Sequence, residues 1–138
     1  MSSVDPARAI EAAFERTGVR RTSQRFFVLE HLLTHPDHAT AEELWMALNQ
    51  RHAQASRATV YNTLHALVEA GLVREFSLDG GAARYDANLE RHHHFVCDNC
   101  GAVEDIDWFE VPLNRSLTRR RGIRSCEVIL RGVCAKCR

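Results

Sequence analysis

The stretch "SRATVYNTLHALVEAG" (residues 56–71) runs straight into "LVREFSLDGGAARYD" (residues 72–86), a helical pattern followed at once by an extended one. Ser56 is placed to cap a helix whose apolar face is Val60, Leu64, Leu67 and Val68, and Gly71 closes it. The second stretch is a short β-branched and aromatic run, a turn containing Asp79, Gly80 and Gly81, and a second short run ending at Tyr85, which predicts a β-hairpin. Upstream, "TAEELWMALNQR" (40–51) opens with a capping box, Thr40 with Glu43, and turns Leu44, Ala47 and Leu48 inward. "TSQRFFVLEHLLTH" (22–35) sets Phe26, Leu29, Leu32 and Leu33 on one face and ends before Pro36. Three helices and a hairpin in this order predict a winged helix, a helix-turn-helix variant with a hairpin packed beside it. One more helix precedes it: "DPARAIEAAFERTG" (5–18) has an Asp cap, Pro at its first position and a Gly stop.

The second half is of another kind. "HHHFVCDNCGAVEDID" (92–107) suggests two strands turning at Asn99, Cys100 and Gly101. "VPLNRSLTRRRG" (111–122) predicts a helix with Pro112 in its first turn and Gly122 after its end. "RSCEVILRGVC" (124–134) predicts a strand with Cys126, Val128 and Leu130 on one face. The expected fold class is therefore α+β, with a winged-helix domain over 1–86 and a small α/β domain over 87–138. A domain of about 50 residues is marginal without a staple or a partner chain.

Charge narrows the function. The chain has 138 residues, with 18 basic and 18 acidic side chains divided evenly between the halves. A nucleic-acid contact must therefore come from a local patch, such as "TGVRRTSQR" (17–25), where Arg20, Arg21 and Arg25 have no acid in sequence beside them. No apolar run approaches the roughly 20 residues that span a bilayer. The first residues lack the basic and apolar regions of a secretory signal, so a cytoplasmic protein is expected. In that reducing compartment paired cysteines favour metal over disulfides.

Cys97-x-x-Cys100 and Cys134-x-x-Cys137 are two such pairs. Together they offer four thiolates, the closed tetrahedral set of structural zinc, tying the first strand of the second domain to its C-terminus. The alternative is two buried or disulfide-bonded pairs. Cys126, the odd thiol, reads as a small core residue. Zinc held by four thiolates has no open position, so the histidines need their own account. On a strand His92 and His94 share a face about 7 Å apart, and His93 points the other way. They form either half of a second metal site or a solvated run. Asp86, Asp105 and His38 are the nearest candidates to complete it, none convincing alone.

"TSQRFFVLEHL", "HATAEELW", "SRATVYNTLHALVEAGLV", "GGAARYD", "HHHFVCDNCG" and "GVCAKC" together resemble the ferric uptake regulator family of bacterial metal-dependent repressors, from about residue 8 to the C-terminus. The resemblance implies a homodimer, with an N-terminal winged-helix domain and a C-terminal dimerisation domain holding structural zinc. It also implies a regulatory ion between the two domains, ligated by His38, Asp86, His92, His94 and Asp105. Three nitrogens and two carboxylates suit iron(II) or manganese(II) better than a soft metal. A further histidine-and-carboxylate site, common in iron- and zinc-uptake members, is expected to be absent, because its positions here are Arg91, His93, Pro112 and Cys126.

That absence, and Asp rather than Glu at 105, resemble the peroxide-sensing members. In that subgroup hydrogen peroxide reacts at the bound iron and a ligand histidine is oxidised, here His38 or His92, which releases the ion and the DNA. An uptake regulator answering to the level of iron or another divalent metal is the alternative. The helix over 56–71 would be the DNA-reading one. It offers Arg57, Thr59, Tyr61, Asn62 and His65 opposite its buried face, with Arg20 and Arg21 as phosphate contacts. The expected target is an inverted repeat in double-stranded DNA, AT-rich as in the family. A two-His, carboxylate iron enzyme is the competing class. Against it, the chain has no cofactor loop and no nucleophile motif, and an enzyme has no use for the helix and wing. A zinc-dependent interaction module leaves His38 and Asp86 unexplained.

Overall fold

The computed structural model describes residues 5–35, 37–51, 55–78 and 81–138. The chain divides into two compact units, one reaching Leu89 and one formed by Glu90–Arg138.

The first unit contains helices α1 (Pro6–Thr17), α2 (Ser23–Thr34), α3 (Ala41–Arg51) and α4 (Arg57–Glu69), then strands β1 (Arg74–Phe76) and β2 (Arg84–Asp86). Helices α1, α3 and α4 start where their caps predict, and Thr22 caps α2. Asp5 accepts from the Ala7 N–H and Ser56 from the Thr59 N–H. The Thr40–Glu43 box closes reciprocally, at 3.0 and 3.2 Å. Gly18 ends α1 in the left-handed region, φ 72°, which only a residue without Cβ adopts at no cost. Helix α2 packs against α1, α3 and α4. One core joins Ile10, Phe14, Val28, Leu44, Leu48, Leu64 and Leu67 with Tyr85 of the wing. The strands pair antiparallel, Arg74 opposite Asp86. This is a winged helix with an added N-terminal helix. Of the turn expected between the strands, Asp79 and Gly80 lie outside the described residues, as does Pro36 after α2.

Two details differ from the sequence expectation. Leu33 is 45% exposed, and Phe27 and Val28 are buried in its stead. With neighbours on three sides, α2 buries a broader arc than a single stripe, displaced from Leu33. Ala47 and Val68 are only partly buried.

The second unit is a three-stranded sheet ordered β4-β3-β5: β3 (His92–Cys97), β4 (Val103–Asp107) and β5 (Ile129–Gly132). The β3–β4 pair is antiparallel and turns at Gly101, φ 76°. The β3–β5 pair is parallel. The helix expected over 111–122 shrinks to one turn, α5 (Arg115–Thr118), capped by Asn114. Pro112 lies outside it, and no side chain of α5 is buried, so nothing extends it. The strand expected from 124 begins only at Ile129, and its residues Ile129 and Leu130 are each 42% exposed. The expected alternation of Cys126, Val128 and Leu130 on one inward face is therefore corrected: Cys126 and Val128 precede the strand and are half-buried.

Candidate metal centres and nucleic-acid interface

The sulfurs of Cys97, Cys100, Cys134 and Cys137 lie within 4.8 Å of one another. Cys97 ends β3, Cys100 sits in the β3–β4 turn, and Cys134 and Cys137 flank a turn after β5. The parallel register, Cys97 opposite Gly132, delivers the second pair beside the first. None of the cysteines is in a disulfide. Backbone N–H groups of Cys100 and Cys134 point at the Cys97 sulfur, at 3.5 and 3.3 Å. These bonds hold its thiol down at about 6. At Cys137 the pull of Asn99 is outweighed by the neighbouring sulfurs of Cys134, Cys100 and Cys97 and by burial, and the thiol is pushed up to about 11. The two directions have different causes, backbone N–H groups at Cys97 and neighbouring sulfurs at Cys137, and four sulfurs this close together call for a cation among them. The donor set fits zinc.

In the second unit, His92, His94 and Asp105 converge. The β3–β4 register places His94 directly opposite Asp105, with His92 two residues along on the same face. The His92 Nε2 lies 3.1 Å from His94 Nε2 and 3.2 Å from Asp105 Oδ1, and His94 Nε2 is 3.8 Å from that oxygen. Both rings are buried. His92 Nδ1 lies 2.6 Å from the Glu90 carbonyl and donates to it, which leaves the lone pair on Nε2, facing the cluster.

In the first unit, His38 and Asp86 are brought together by the wing. An isolated bridge joins Thr40 to Arg84, and the Tyr85 N–H donates to the Ala39 carbonyl at 3.0 Å. The loop before α3 is thereby stitched to β2. His38 adopts φ 53°, an uncommon left-handed conformation, and the Arg84 guanidinium donates to its carbonyl at 3.0 Å. Its Nδ1 is 3.5 Å from Asp86 Oδ2, and both side chains are buried. Asp86 Oδ1 accepts from the Asn88 N–H at 2.8 Å. The Arg84 clamp is a part of the site that sequence reading missed, and its only signal was an arginine two residues before Asp86.

His93 takes no part in the cluster. It is fully buried, accepts at Nδ1 from the Val128 N–H (3.0 Å) and donates from Nε2 to the Phe109 carbonyl (2.8 Å). Its ring stacks on Trp108. It is a structural pin between β3 and the segments on either side.

On α4, Tyr61 is 55% exposed and Asn62 and His65 are exposed, while the Thr59 hydroxyl bonds Ser56 in the cap. Arg57 is exposed but engaged: its guanidinium makes two bonds to Glu42, at 3.0 and 2.9 Å, and stacks on Trp45. The basic patch needs a correction. Arg21 is paired with Glu11 of α1, an acid distant in sequence, and Arg25 donates to the Arg20 carbonyl.

Residues 16–128 match the sequence profile of the Ferric uptake regulator family. This chain belongs to that family. It is similar to the "Peroxide operon regulator" of Bacillus subtilis, 37% identical over 108 residues, 78% of this chain and 74% of that one. The solved Campylobacter jejuni peroxide stress regulator superposes with a TM-score of 0.66 at 27% identity, covering 97% of this chain and 100% of that one. A zinc-bound manganese uptake regulator does so with 0.68 at 27% identity, over 91% and 98%. Ferric uptake regulator family proteins are transcriptional regulators, not enzymes. No helix among the described residues is long and apolar enough to cross a membrane.

Proposed function

We propose that this protein is a cytoplasmic, homodimeric repressor that binds operator DNA when loaded with a divalent ion and releases it on exposure to hydrogen peroxide. The observation that carries the reading is the pair of half-sites. The winged-helix unit offers one imidazole and one carboxylate, His38 and Asp86, and the sheet unit offers His92, His94 and Asp105. Two or three donors are too few for a six-coordinate ion, while the five together suit iron(II) or manganese(II). A shared ion would favour one relative orientation of the DNA-reading unit and the dimerising unit, which is a population shift driven by differential binding. Bound iron supplies the reaction with peroxide. The protein's part is to hold His38 and His92 close to it, with the His92 lone pair already directed by the Glu90 carbonyl.

Zinc on Cys97, Cys100, Cys134 and Cys137 is assigned a structural role, because four thiolates close the coordination sphere. The dimer is supported by the second unit itself. Ile129, Leu130 and Val133 are 42–47% exposed on and after the edge strand β5, and its buried apolar residues are only Cys97, Val103 and Cys134. Such a unit is completed by a second copy. A dimer presents two α4 helices and so reads an inverted repeat, through Arg57, Thr59, Tyr61 and Asn62, with Arg20 and Arg21 on phosphates.

The test is peptide mass spectrometry after brief peroxide treatment of iron(II)-loaded protein, beside a manganese(II)-loaded control. One added oxygen on the peptides carrying His38 or His92, in the iron sample alone, is expected. Iron-loaded protein whose histidines stay unoxidised would instead be a regulator of metal level. His38→Ala is expected to keep zinc and the dimer while losing metal-dependent operator binding, read by fluorescence anisotropy.

A further inference from the structure

The segment 114–125 carries five arginines, Arg115, Arg119, Arg120, Arg121 and Arg124 among them, and no acid. Within the sheet unit this segment forms one wall of a cavity of about 330 Å³. Arg121 and Arg124 line it from that wall and Arg91 from the residue before β3, with Trp108, Glu110 and Cys126 beside them. Three fixed positive charges face one carboxylate. That carboxylate is held to the aromatic side, where Glu110 accepts from the Trp108 indole N–H at 3.4 Å. The Arg91 guanidinium lies over the Trp108 ring at 4.0 Å. Stacking fixes the plane of that guanidinium and leaves the N–H groups at its rim for an acceptor. Among the described residues, no ion pair involves Arg91, Arg121 or Arg124.

Arginine stays charged at every physiological pH, and its planar fork matches carboxylate and phosphate oxygens two at a time. The charge belongs to a concave site of small-molecule size, at the lower end of the roughly 300–1,000 Å³ range of ligand pockets. Guanidinium groups do not coordinate a cation, and three of them against one carboxylate make the lining favour an anion. We propose that this cavity binds a small polyvalent oxyanion, a carboxylate or a phosphate, gripped between Arg91 on its tryptophan and the arginines of the 114–125 segment. Glu110 opposes the bound charge and sets a ceiling on affinity. The site is independent of the metal-ligand assignments above.

Cys126 on the cavity wall is a built-in reporter. Full-length, zinc-loaded protein would be treated with iodoacetamide in inorganic phosphate, in succinate, or in sodium chloride at matched ionic strength, and alkylation of the Cys126 peptide followed by mass spectrometry. An anion at ten times its Kd leaves about one site in eleven open, so Cys126 is expected to react about tenfold more slowly. Phosphate alone, succinate alone, or both protecting would name the oxyanion class. Arg121→Gln with Arg124→Gln is expected to abolish protection, and Glu110→Gln to bring it on at lower anion concentration. Protection no greater than in sodium chloride would overturn the proposal, as would protection that survives the arginine substitutions in protein with its zinc retained. The wild-type comparison decides the matter even if a variant fails to fold.

Discussion

Replacing Cys134 with Ser tests whether the sheet unit owes its folding to metal. Among its described residues the buried apolar set is Cys97, Val103 and Cys134, and two of these are thiols of the cluster. Burial of Val103 contributes about 1.5–3 kcal/mol. Structural zinc in a small domain contributes roughly 10–16 kcal/mol at neutral pH. The metal term therefore dominates, and Cys134 supplies one of its four thiolates. If Cys134→Ser forfeits even half of the zinc term, more than about 5 kcal/mol is lost, over three decades in the opening equilibrium. Hydrogen exchange by mass spectrometry resolves the two units in one experiment. Amides of β3 and β4 are expected to exchange more than a thousandfold faster in the zinc-free variant, while those of α2 and α4, inside a core of their own, keep their wild-type protection. Cys126→Ser, outside the cluster, should change neither. A zinc-free Cys134→Ser protein with wild-type protection across β3–β5 would refute the reasoning.

Four further outcomes are expected. His93→Ala leaves the Val128 N–H and the Phe109 carbonyl without their partner, at about 1–3 kcal/mol each, together with a cavity; chemical denaturation should show a loss of several kcal/mol in the sheet unit with zinc still bound. Glu42→Gln removes the carboxylate that neutralises Arg57 and is expected to tighten operator binding by less than about 1 kcal/mol. Arg57→Ala should weaken that binding by about 1–3 kcal/mol if it contacts a guanine, or uniformly across sequences with a shallower salt slope if it contacts a phosphate, as anisotropy titrations at several salt concentrations will show. Burial, reinforced by neighbouring His35, lowers the His31 pKa. The lowered value favours the neutral ring, so its contribution is complete above about 6.5, the ordinary histidine value, and is lost as pH falls through the folded value. The thermal midpoint of the winged-helix unit should therefore fall on acidification, and less so in His31→Gln.

How far the sequence could be read depended on the range of the interaction. Caps and stops are local, so Asp5, Gly18, the Thr40–Glu43 box and Ser56 were legible, and with them four helices and the wing. The paired Cys-x-x-Cys spacing was legible for the same reason, since each half is a single tight turn. Legibility ended in the 111–130 region. A helix of twelve residues and a strand of eleven shrank to four residues each, because no core in the unit receives their apolar side chains. Periodicity reports a face, and a face needs something to pack on. The likeness of "VPLNRSLTRRRG" to a helix was real at the level of propensity and failed at the level of burial.

The histidine sites show the same limit from the other side. Strand alternation separated His92 and His94 from His93, but it could not say what His93 was for, because Val128 and Phe109 are distant in sequence. Nor could it find the β3–β4 register that sets Asp105 opposite His94, or the Thr40–Arg84 bridge that draws the His38 loop to Asp86. These are pairing facts, fixed by the partner strand and not by the strand itself. They also explain why each half-site is pre-formed. His92 has its lone pair directed by a backbone carbonyl, and Asp86 is held by the Asn88 N–H, before any ion arrives. In the proposed function, an ion joining such halves would spend little on ordering its ligands, so most of its binding energy would be left to favour the metal-bound arrangement of the protein. Under the proposed function, oxidation of a single imidazole would remove a ligand whose orientation the fold had already set, so that damage at one residue would be enough to reverse the switch.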